Sequence, residues 1–318
     1  MKSSTSQWLT QASLLLFVGV LAGRDIAWDL WLQDGFGFRD TTSALSRGIA
    51  YVIFSFALIV SFSMAFITAR GDWKNFRTRV SRFPALWRSA AMSLSAGAIY
   101  VVTFVVIVEI GAGLFDLIDW GLAPFFTAGI GIVFWKDKVR LPVLAAALTL
   151  GLAGLTSLYF LGALGESRAG EEPLLMIVAL TSPLLTAVSF SWQRWLLLPD
   201  QGGMSRAEVL LVRFGPSLVA LTLFALLHYG SLPLLPSSWL ELLVAGSLGA
   251  LPAVLVCFAL VLAGLGRFAA WQFAIPTVAF LGTLPAYPEH SDILSLGSAL
   301  AIVAGVVLFE ARGEVEGD

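Results

Sequence analysis

The chain has 318 residues, of which 58% are hydrophobic and only 13% are charged, and its mean hydropathy is +0.87. A soluble domain carries roughly 25% charged residues, so this chain lacks the polar surface that a water-soluble fold needs. Its formal net charge of −2 leaves no basic footprint for nucleic acid. The composition therefore predicts an all-α integral membrane protein and excludes a nucleic-acid-binding one.

About ten apolar segments follow one another, separated by glycine, proline or clusters of charge. Most exceed the ~20 residues that a helix needs to cross the ~30 Å hydrocarbon core of a bilayer. Such segments must be helical, because lipid cannot hydrogen-bond an open backbone. The predicted transmembrane helices are 8–32, 42–69, 89–110, 113–135, 141–162, 173–197, 205–229, 238–263, 267–285 and 291–311.

The first segment has an alternative interpretation. Lys2 followed by the apolar stretch ASLLLFVGVLAG resembles a secretory signal peptide with a short hydrophobic region. The A-x-A pattern of a cleavage site is missing from this stretch. The count would be nine helices if the first segment were removed.

The basic residues are distributed unevenly between the predicted loops. If the segments alternate in direction, one side of the membrane receives only Arg24, Arg39 and Arg168. Lysine and arginine concentrate in cytoplasmic loops, so the prediction is a bacterial inner-membrane protein with both termini in the cytoplasm. The cytoplasmic basic residues would be Lys2, Arg70, Lys74, Arg77, Arg79, Arg82, Arg88, Lys136, Lys138, Arg140, Arg194, Arg206, Arg267 and Arg312.

The two halves of the chain, 1–165 and 166–318, share landmarks. Arg47 in the second segment corresponds to Arg213 in the seventh, and Pro124 in the fourth corresponds to Pro276 in the ninth. Five helices per half is an odd number, so the second half enters the membrane upside down relative to the first. Inverted repeats are a transporter architecture, in which the substrate site lies near the bilayer midplane at the repeat interface.

Two stretches carry a resemblance to a known family. LAPFFTAGIGIVFWKDKVR, followed by a Gly/Ala-rich helix, is similar to the unit that closes each repeat of EamA-type transporters, in the drug/metabolite transporter superfamily. TTSALSRGIAYVIF resembles the family's second helix, and SRAEVLLVRFGPSLVALTLF repeats that pattern. The resemblance implies ten transmembrane helices, alternating access, and export of small polar metabolites such as amino acids, without a cofactor.

Candidate substrate-binding residues are polar or aromatic groups inside apolar segments. Arg24 and Asp25 lie within the membrane if the first segment reaches Trp31, and intramembrane charges are retained mainly where they line a cavity or find partners. If the segment instead ends at Gly23, both are ordinary loop residues. Trp120 precedes a helix-breaking proline, as does the pair Trp271 and Gln272, which makes these three residues candidates to line a pocket.

Glu109 is the candidate for proton coupling, because a carboxylate in poorly solvated surroundings can load a proton. Asp116 and Asp119 follow it, and the interpretation favoured for them is that they cap the start of the fourth helix. Arg47 and Arg213 are candidate gating residues that would each pair with an acid in one state. The alternative for both arginines is that they snorkel to the membrane interface.

The sequence carries no recognisable set of enzyme residues. One cysteine and two histidines leave no multi-cysteine or histidine-rich metal centre, and no G-x-x-x-x-G-K-[ST] motif for nucleotide phosphates is present. Expected partners are a small-molecule substrate and membrane lipids, and a homodimer is left open. The alternatives are a flippase for lipid-linked sugars or other lipids, or a membrane-embedded transferase using Asp116 and Asp119.

Overall fold

The structure is a computed structural model, which describes residues 4–34, 44–110, 112–162, 173–230, 239–285 and 292–312. Over these residues the fold is all-helical. The helices are α1 (Ser4–Asp34), α2 (Ala44–Arg70), α3 (Trp73–Val80), α4 (Phe83–Ile110), α5 (Ala112–Val133), α6 (Leu141–Phe160), α7 (Pro173–Leu197), α8 (Arg206–Tyr229), α9 (Trp239–Gln272), α10 (Ala274–Thr283) and α11 (Ile293–Arg312).

The predicted segments coincide with these helices, apart from a few residues at their ends and two larger differences. The third predicted segment, 89–110, corresponds to α4, which begins at Phe83 rather than at residue 89. The short helix α3 lies before it. The predicted segments 238–263 and 267–285 are not separated by a loop. Helix α9 runs through both until Gln272, with a single non-helical residue, Gly264, at φ 73° and ψ 168°.

The chain reverses direction at Gly264, so α9 has two arms, residues 239–263 and 265–272. Beyond the reversal, Phe273 lies deep in the bundle, where its ring fills the space that a Cβ on Gly151 of α6 would need. Such a φ/ψ combination is open essentially only to glycine. A single glycine therefore does what the sequence analysis assigned to a three-residue connection.

Several helices are long and apolar enough to cross a membrane. Among the described residues five stretches meet both criteria, the fourth of them containing the Gly264 reversal: Ile49–Arg70, Leu141–Phe160, Arg206–Tyr229, Gly249–Gln272 and Ile293–Arg312. Large apolar side chains also point outward, Leu94, Phe160, Leu227 and Ile293 among them. These are the features of a multi-pass membrane protein.

Most of the close helix pairs join the first half of the chain to the second. Helix α6 packs along α11, α5 along α7, α1 along α9, α2 along α8, and α4 along α7 and α8. Small residues allow these close approaches. At the α6–α11 contact, a Cβ on Gly154 would lie 2.5 Å from Cγ1 of Ile302, and one on Gly305 would lie 2.9 Å from the carbonyl oxygen of Ala147.

Where the structure describes the residues before a helix, two helices begin with side-chain caps. Ser205 and Glu208 form a reciprocal capping box at the start of α8. At the start of α11, the carboxylate of Asp292 accepts hydrogen bonds from the backbone N–H groups of Leu294 and Ser295, at 2.8 and 2.9 Å, and from the Ser295 hydroxyl at 2.8 Å. The bonds from Ser295 lower the pKa of Asp292, because they stabilise its charged form.

Candidate functional site

Three ion pairs lie at one end of the bundle, which we call the basic end. It contains α3, the α5–α6 and α7–α8 connections, the Gly264 reversal and the last turn of α11. The pairs are Arg79–Glu208, Arg194–Asp137 and Arg267–Glu310. The first two each join a residue of the first half to a residue of the second.

Asp137 is at the centre of the basic end, and local sequence places it there. Lys136 adopts a left-handed conformation at φ 53°, and the N–H of Asp137 returns to the carbonyl of Gly131 at 3.0 Å, which closes the end of α5 as a Schellman turn does. The Asp137 carboxylate accepts both bonds from Nη1 of Arg194, at 2.8 and 3.1 Å. It also accepts the N–H of Gly266 at 3.1 Å, next to the reversal.

Aromatic and hydroxyl groups complete the Asp137 contact. The Arg194 guanidinium lies over the ring of Trp135, 4.7 Å from its centroid, and the Trp135 indole N–H donates to the Ser191 hydroxyl at 2.8 Å. A Cβ on Gly131 would meet the Asp137 carboxylate at 2.9 Å. Glycine at this position thus leaves room for the carboxylate between α5 and the second arm of α9.

Glu208 is fully buried beneath α3. Its carboxylate accepts a hydrogen bond from Nη2 of Arg79 at 2.6 Å and from the N–H of Ser205 at 2.6 Å. One side chain therefore caps α8 and fastens the α2–α4 connection to it.

Trp271, a predicted pocket residue, is 9% exposed, and its indole N–H donates to Glu310 at 2.5 Å. The same carboxylate accepts two bonds from Arg267. Trp271 therefore ties the second arm of α9 to α11. Trp120, the corresponding residue of α5, is half-buried between two apolar clusters.

Arg213, a predicted gate, lies inside the bundle. It is 8% exposed, donates to the side-chain oxygen of Gln193, and lies beside the rings of Phe190 and Phe214. Gln193, which is fully buried, donates in turn to the Cys257 sulfur at 3.0 Å. The snorkelling alternative is thus wrong for Arg213, whose guanidinium joins a polar network between α7, α8 and α9.

Among the described residues, three polar side chains that are completely buried have no hydrogen-bond partner. They are Thr127 on α5, Ser189 on α7 and Gln272 at the end of α9, whose amide nitrogen and oxygen are both unbonded; all three residues are 0% exposed. At 1.5 Å of rise per residue they lie about 9–12 Å from the basic end. A buried polar group without a hydrogen bond lowers the stability of the fold, because it has lost its bonds to water. Such a group in a folded protein therefore needs an explanation.

Asp119 does not cap α5, contrary to the interpretation favoured from the sequence. It is the eighth residue of that helix, beyond the first turn, and is 9% exposed. The Ser182 hydroxyl of α7 donates to it at 2.8 Å. Its carboxylate connects the two halves of the chain in the interior of the bundle.

The remaining predicted residues have described backbones. Helix α1 continues past Gly23 to Asp34, so Arg24 and Asp25 are helical, and the loop alternative for them is wrong. Arg24 is half-buried. Asp25, Arg47, Glu109 and Asp116 lie on α1, α2, α4 and α5, but their side chains lie outside the described residues. In the part of the chain that the structure describes, no group of three or more His, Cys, Asp or Glu could hold a metal ion.

The sequence analysis missed the ion pairs and Thr127. Asp137 attracted notice only as a landmark thirteen residues after Pro124, and its partner Arg194 only as a basic loop residue. Threonine is common in membrane helices, so Thr127 carried no signal of its own.

Comparisons with known proteins give a fold and no family. No family model matches this chain, and no curated protein matches it. Among solved structures 18 chains match, including a crystal structure described only as that of a protein. It superposes with a TM-score of 0.65 at 15% identity, over 96% of this chain and 96% of the other. This similarity shows that the two chains share a fold.

Proposed function

We propose that the chain is a secondary transporter with ten transmembrane helices in two inverted five-helix repeats, working by alternating access. In this assignment the two arms of α9 count separately and the second arm continues into α10. The repeats are then α1, α2, α4, α5 and α6, and α7, α8, the first arm of α9, the second arm with α10, and α11. The short helix α3 lies outside both.

The observation that carries the proposal is the pattern of helix packing. Exchanging the two repeats turns three of the close pairs into pairs that are also present, with α9 taken as a whole: α4–α7 becomes α1–α9, α4–α8 becomes α2–α9, and α5–α7 becomes α1–α10. The pairs α2–α8 and α6–α11 are exchanged into themselves. A two-fold axis in the membrane plane would produce this pattern, and inverted repeats related by such an axis alternate between two access states.

The ion pairs of the basic end supply the second line of support. The excess of arginine and lysine assigns this end to the cytoplasm. Arg194–Asp137 and Arg79–Glu208 each join one repeat to the other, so they would close the cytoplasmic entrance. An inward-open state would require both to separate.

The EamA-like stretches and the repeat point to export of small polar metabolites, such as amino acids, across a bacterial inner membrane. Arg24 belongs in the substrate path in this proposal, because it is a half-buried charged residue within the long helix α1, and intramembrane charges are retained mainly where they line a cavity or find partners. A planar guanidinium suits a carboxylate or phosphate of the cargo.

Metabolite profiling of cells and spent medium tests the proposed function. Cells expressing the wild type, Arg24→Ala, Arg312→Ala or an empty vector are compared by mass spectrometry. Arg312 is exposed in the last turn of α11 and serves as the matched control. One class of metabolite should accumulate outside with the wild type and Arg312→Ala, and at least tenfold less with Arg24→Ala.

Equal export by Arg24→Ala would remove this residue from the path and leave transport standing. A medium that is the same with the wild type and the empty vector would contradict export of small metabolites.

A further inference from the structure

We propose that the side-chain amide of Gln272 is the hydrogen-bonding contact for a neutral planar group of the cargo, one that donates and accepts side by side, as a carboxamide does. The inference rests on the proposed transport function and specifies the chemistry of its site. Gln272 is fully buried with neither amide atom bonded, and Thr127 contributes an unbonded hydroxyl.

Contacts of neighbouring residues place Gln272 and Thr127 at one interface, which we call the seam: the contact between α5 and the second arm of α9. The second arm of α9 runs antiparallel to α5, because the position of Gly131 abuts Leu265 and Gly266, while Phe125 meets Phe273 with their ring centroids 6.3 Å apart. Thr127 lies one turn before Gly131, on the same face of α5. It therefore faces the second arm at the level of Gln272.

The opposite wall of the seam belongs to α7 and α1. Phe268, one turn before Gln272 on the same face, contacts Phe190 of α7 and Phe17 of α1, both with ring centroids 5.1 Å apart. Gln272 thus points toward these two helices, where the repeats meet. Its amide lies at the interface that an alternating-access mechanism would open and close.

Two prolines add backbone acceptors at the same depth. Proline has no N–H, so Pro276 cannot donate to the carbonyl of Gln272, and Pro124 cannot donate to that of Trp120. Pro124 lies inside α5 and Pro276 inside α10, and Phe273, between α9 and α10, keeps the helical angles φ −65° and ψ −22°. Each proline therefore deprives one backbone carbonyl of its usual helix donor, a feature that transmembrane helices tolerate.

These groups are all uncharged, which sets the class of ligand. A glutamine amide offers one donor edge and one acceptor edge, so it pairs best with a partner that presents the same two functions in reverse. A carboxamide and a nucleobase edge share this chemistry. A carboxylate lacks the donor and would leave the amide oxygen of Gln272 unpaired.

Two measurements on purified full-length protein test the assignment. Melting temperature in detergent, without added solute, is compared for the wild type, Gln272→Leu and the exposed control Gln201→Leu. Replacing an unsatisfied buried amide with an apolar group relieves its cost, so Gln272→Leu should melt at the same temperature or about 2–4 °C higher. A fall of several degrees would reveal a structural partner for the amide and overturn the inference.

The second measurement is uptake by proteoliposomes of glutamine, asparagine, adenosine, uridine and glutamate. The carboxamides, the nucleosides or both should cross with the wild type, and Gln272→Leu should raise the half-saturating concentration of those solutes at least tenfold. Thr127→Val should raise it severalfold, whereas Thr149→Val, at an exposed hydroxyl on α6, should not. The solutes whose uptake Gln272→Leu weakens, carboxamides or nucleosides, show which of the two groups the site binds.

Each contrary result has its own meaning. Flux of glutamate alone through the wild type, or an unchanged half-saturation in Gln272→Leu, would overturn the inference and leave transport standing. Flux of no solute, together with an unchanged medium in the profiling experiment, would overturn both.

Discussion

Glu208 shows how one buried residue can serve two structural purposes. Its carboxylate caps α8 through the Ser205 N–H and pairs with Arg79 from the α2–α4 connection. Breaking a buried pair by removing one partner is costly, because the remaining charge loses its compensation. Arg79 is 27% exposed, so water can recover part of that loss.

We expect Glu208→Ala to lower the free energy of unfolding by about 2–3 kcal/mol, at or below the low end for a buried pair. Glu208→Gln, which keeps a capping oxygen and loses the charge, should cost less. Unfolding in detergent, followed by tryptophan fluorescence, gives both values. A double-mutant cycle with Arg79→Gln is the control, and strictly additive losses would show that the two side chains are not coupled.

Helix α9 illustrates what a single glycine contributes to an element. Gly264 has a backbone conformation that other residues avoid, and a Cβ there would lie 3.3 Å from Oδ2 of Asp137 and 3.4 Å from Nη2 of Arg194. The glycine both permits the reversal and lets the Arg194–Asp137 pair approach the backbone.

Gly264→Ala should therefore destabilise the protein by about 1–3 kcal/mol, the usual cost of such backbone strain. Gly297→Ala is the matched control: this glycine is exposed on α11, has an ordinary helical φ, and leaves open space around an added Cβ. It should be neutral or stabilising, since alanine favours helix. Thermal melting compares the two variants, and equal melting temperatures would contradict this account of the reversal.

The sequence predicted the helices well because lipid permits few alternatives to a long apolar helix. It placed a break between residues 263 and 267, but it assigned a three-residue connection where Gly264 alone departs from helical geometry. The ion pairs were hidden for another reason. Arg194 and Arg267 fit the positive-inside pattern completely, so nothing marked them as partners of Asp137 and Glu310. Gln272 was singled out as a candidate because an amide stands out in an apolar segment, and its role stays a prediction.

On the scale of the whole molecule, the basic end and the buried network of Arg213, Gln193 and Cys257 would be successive barriers in the proposed transporter. The two ion pairs between the halves would close the end itself. Behind them, Gln193 links Arg213 to Cys257, which is fully buried about 9 Å from the end of the first arm of α9. Cys257 is the only cysteine in the chain, so its thiol can report whether this end opens.

Asp137→Asn removes the charge from the Arg194–Asp137 pair and keeps the shape of the side chain. We expect it to raise the rate at which a maleimide labels Cys257 about tenfold. A change of about 1–2 kcal/mol in a partly buried ion pair shifts an opening equilibrium by that order. Mass spectrometry of the labelled protein in inside-out vesicles measures the rate. Asp72→Asn, an acid at the same end before α3, is the control, and identical rates in all three proteins would show that the pair does not control access.

The reversal at Gly264 also constrains movement. The α7–α8 connection has eight residues between its helices, whereas the two arms of α9 share one pivot and no slack. The arms can hinge about that pivot, but neither can slide along its axis without carrying the other. Any movement of the first arm of α9 is therefore passed on at Gly264 to the second arm and, through it, to α10.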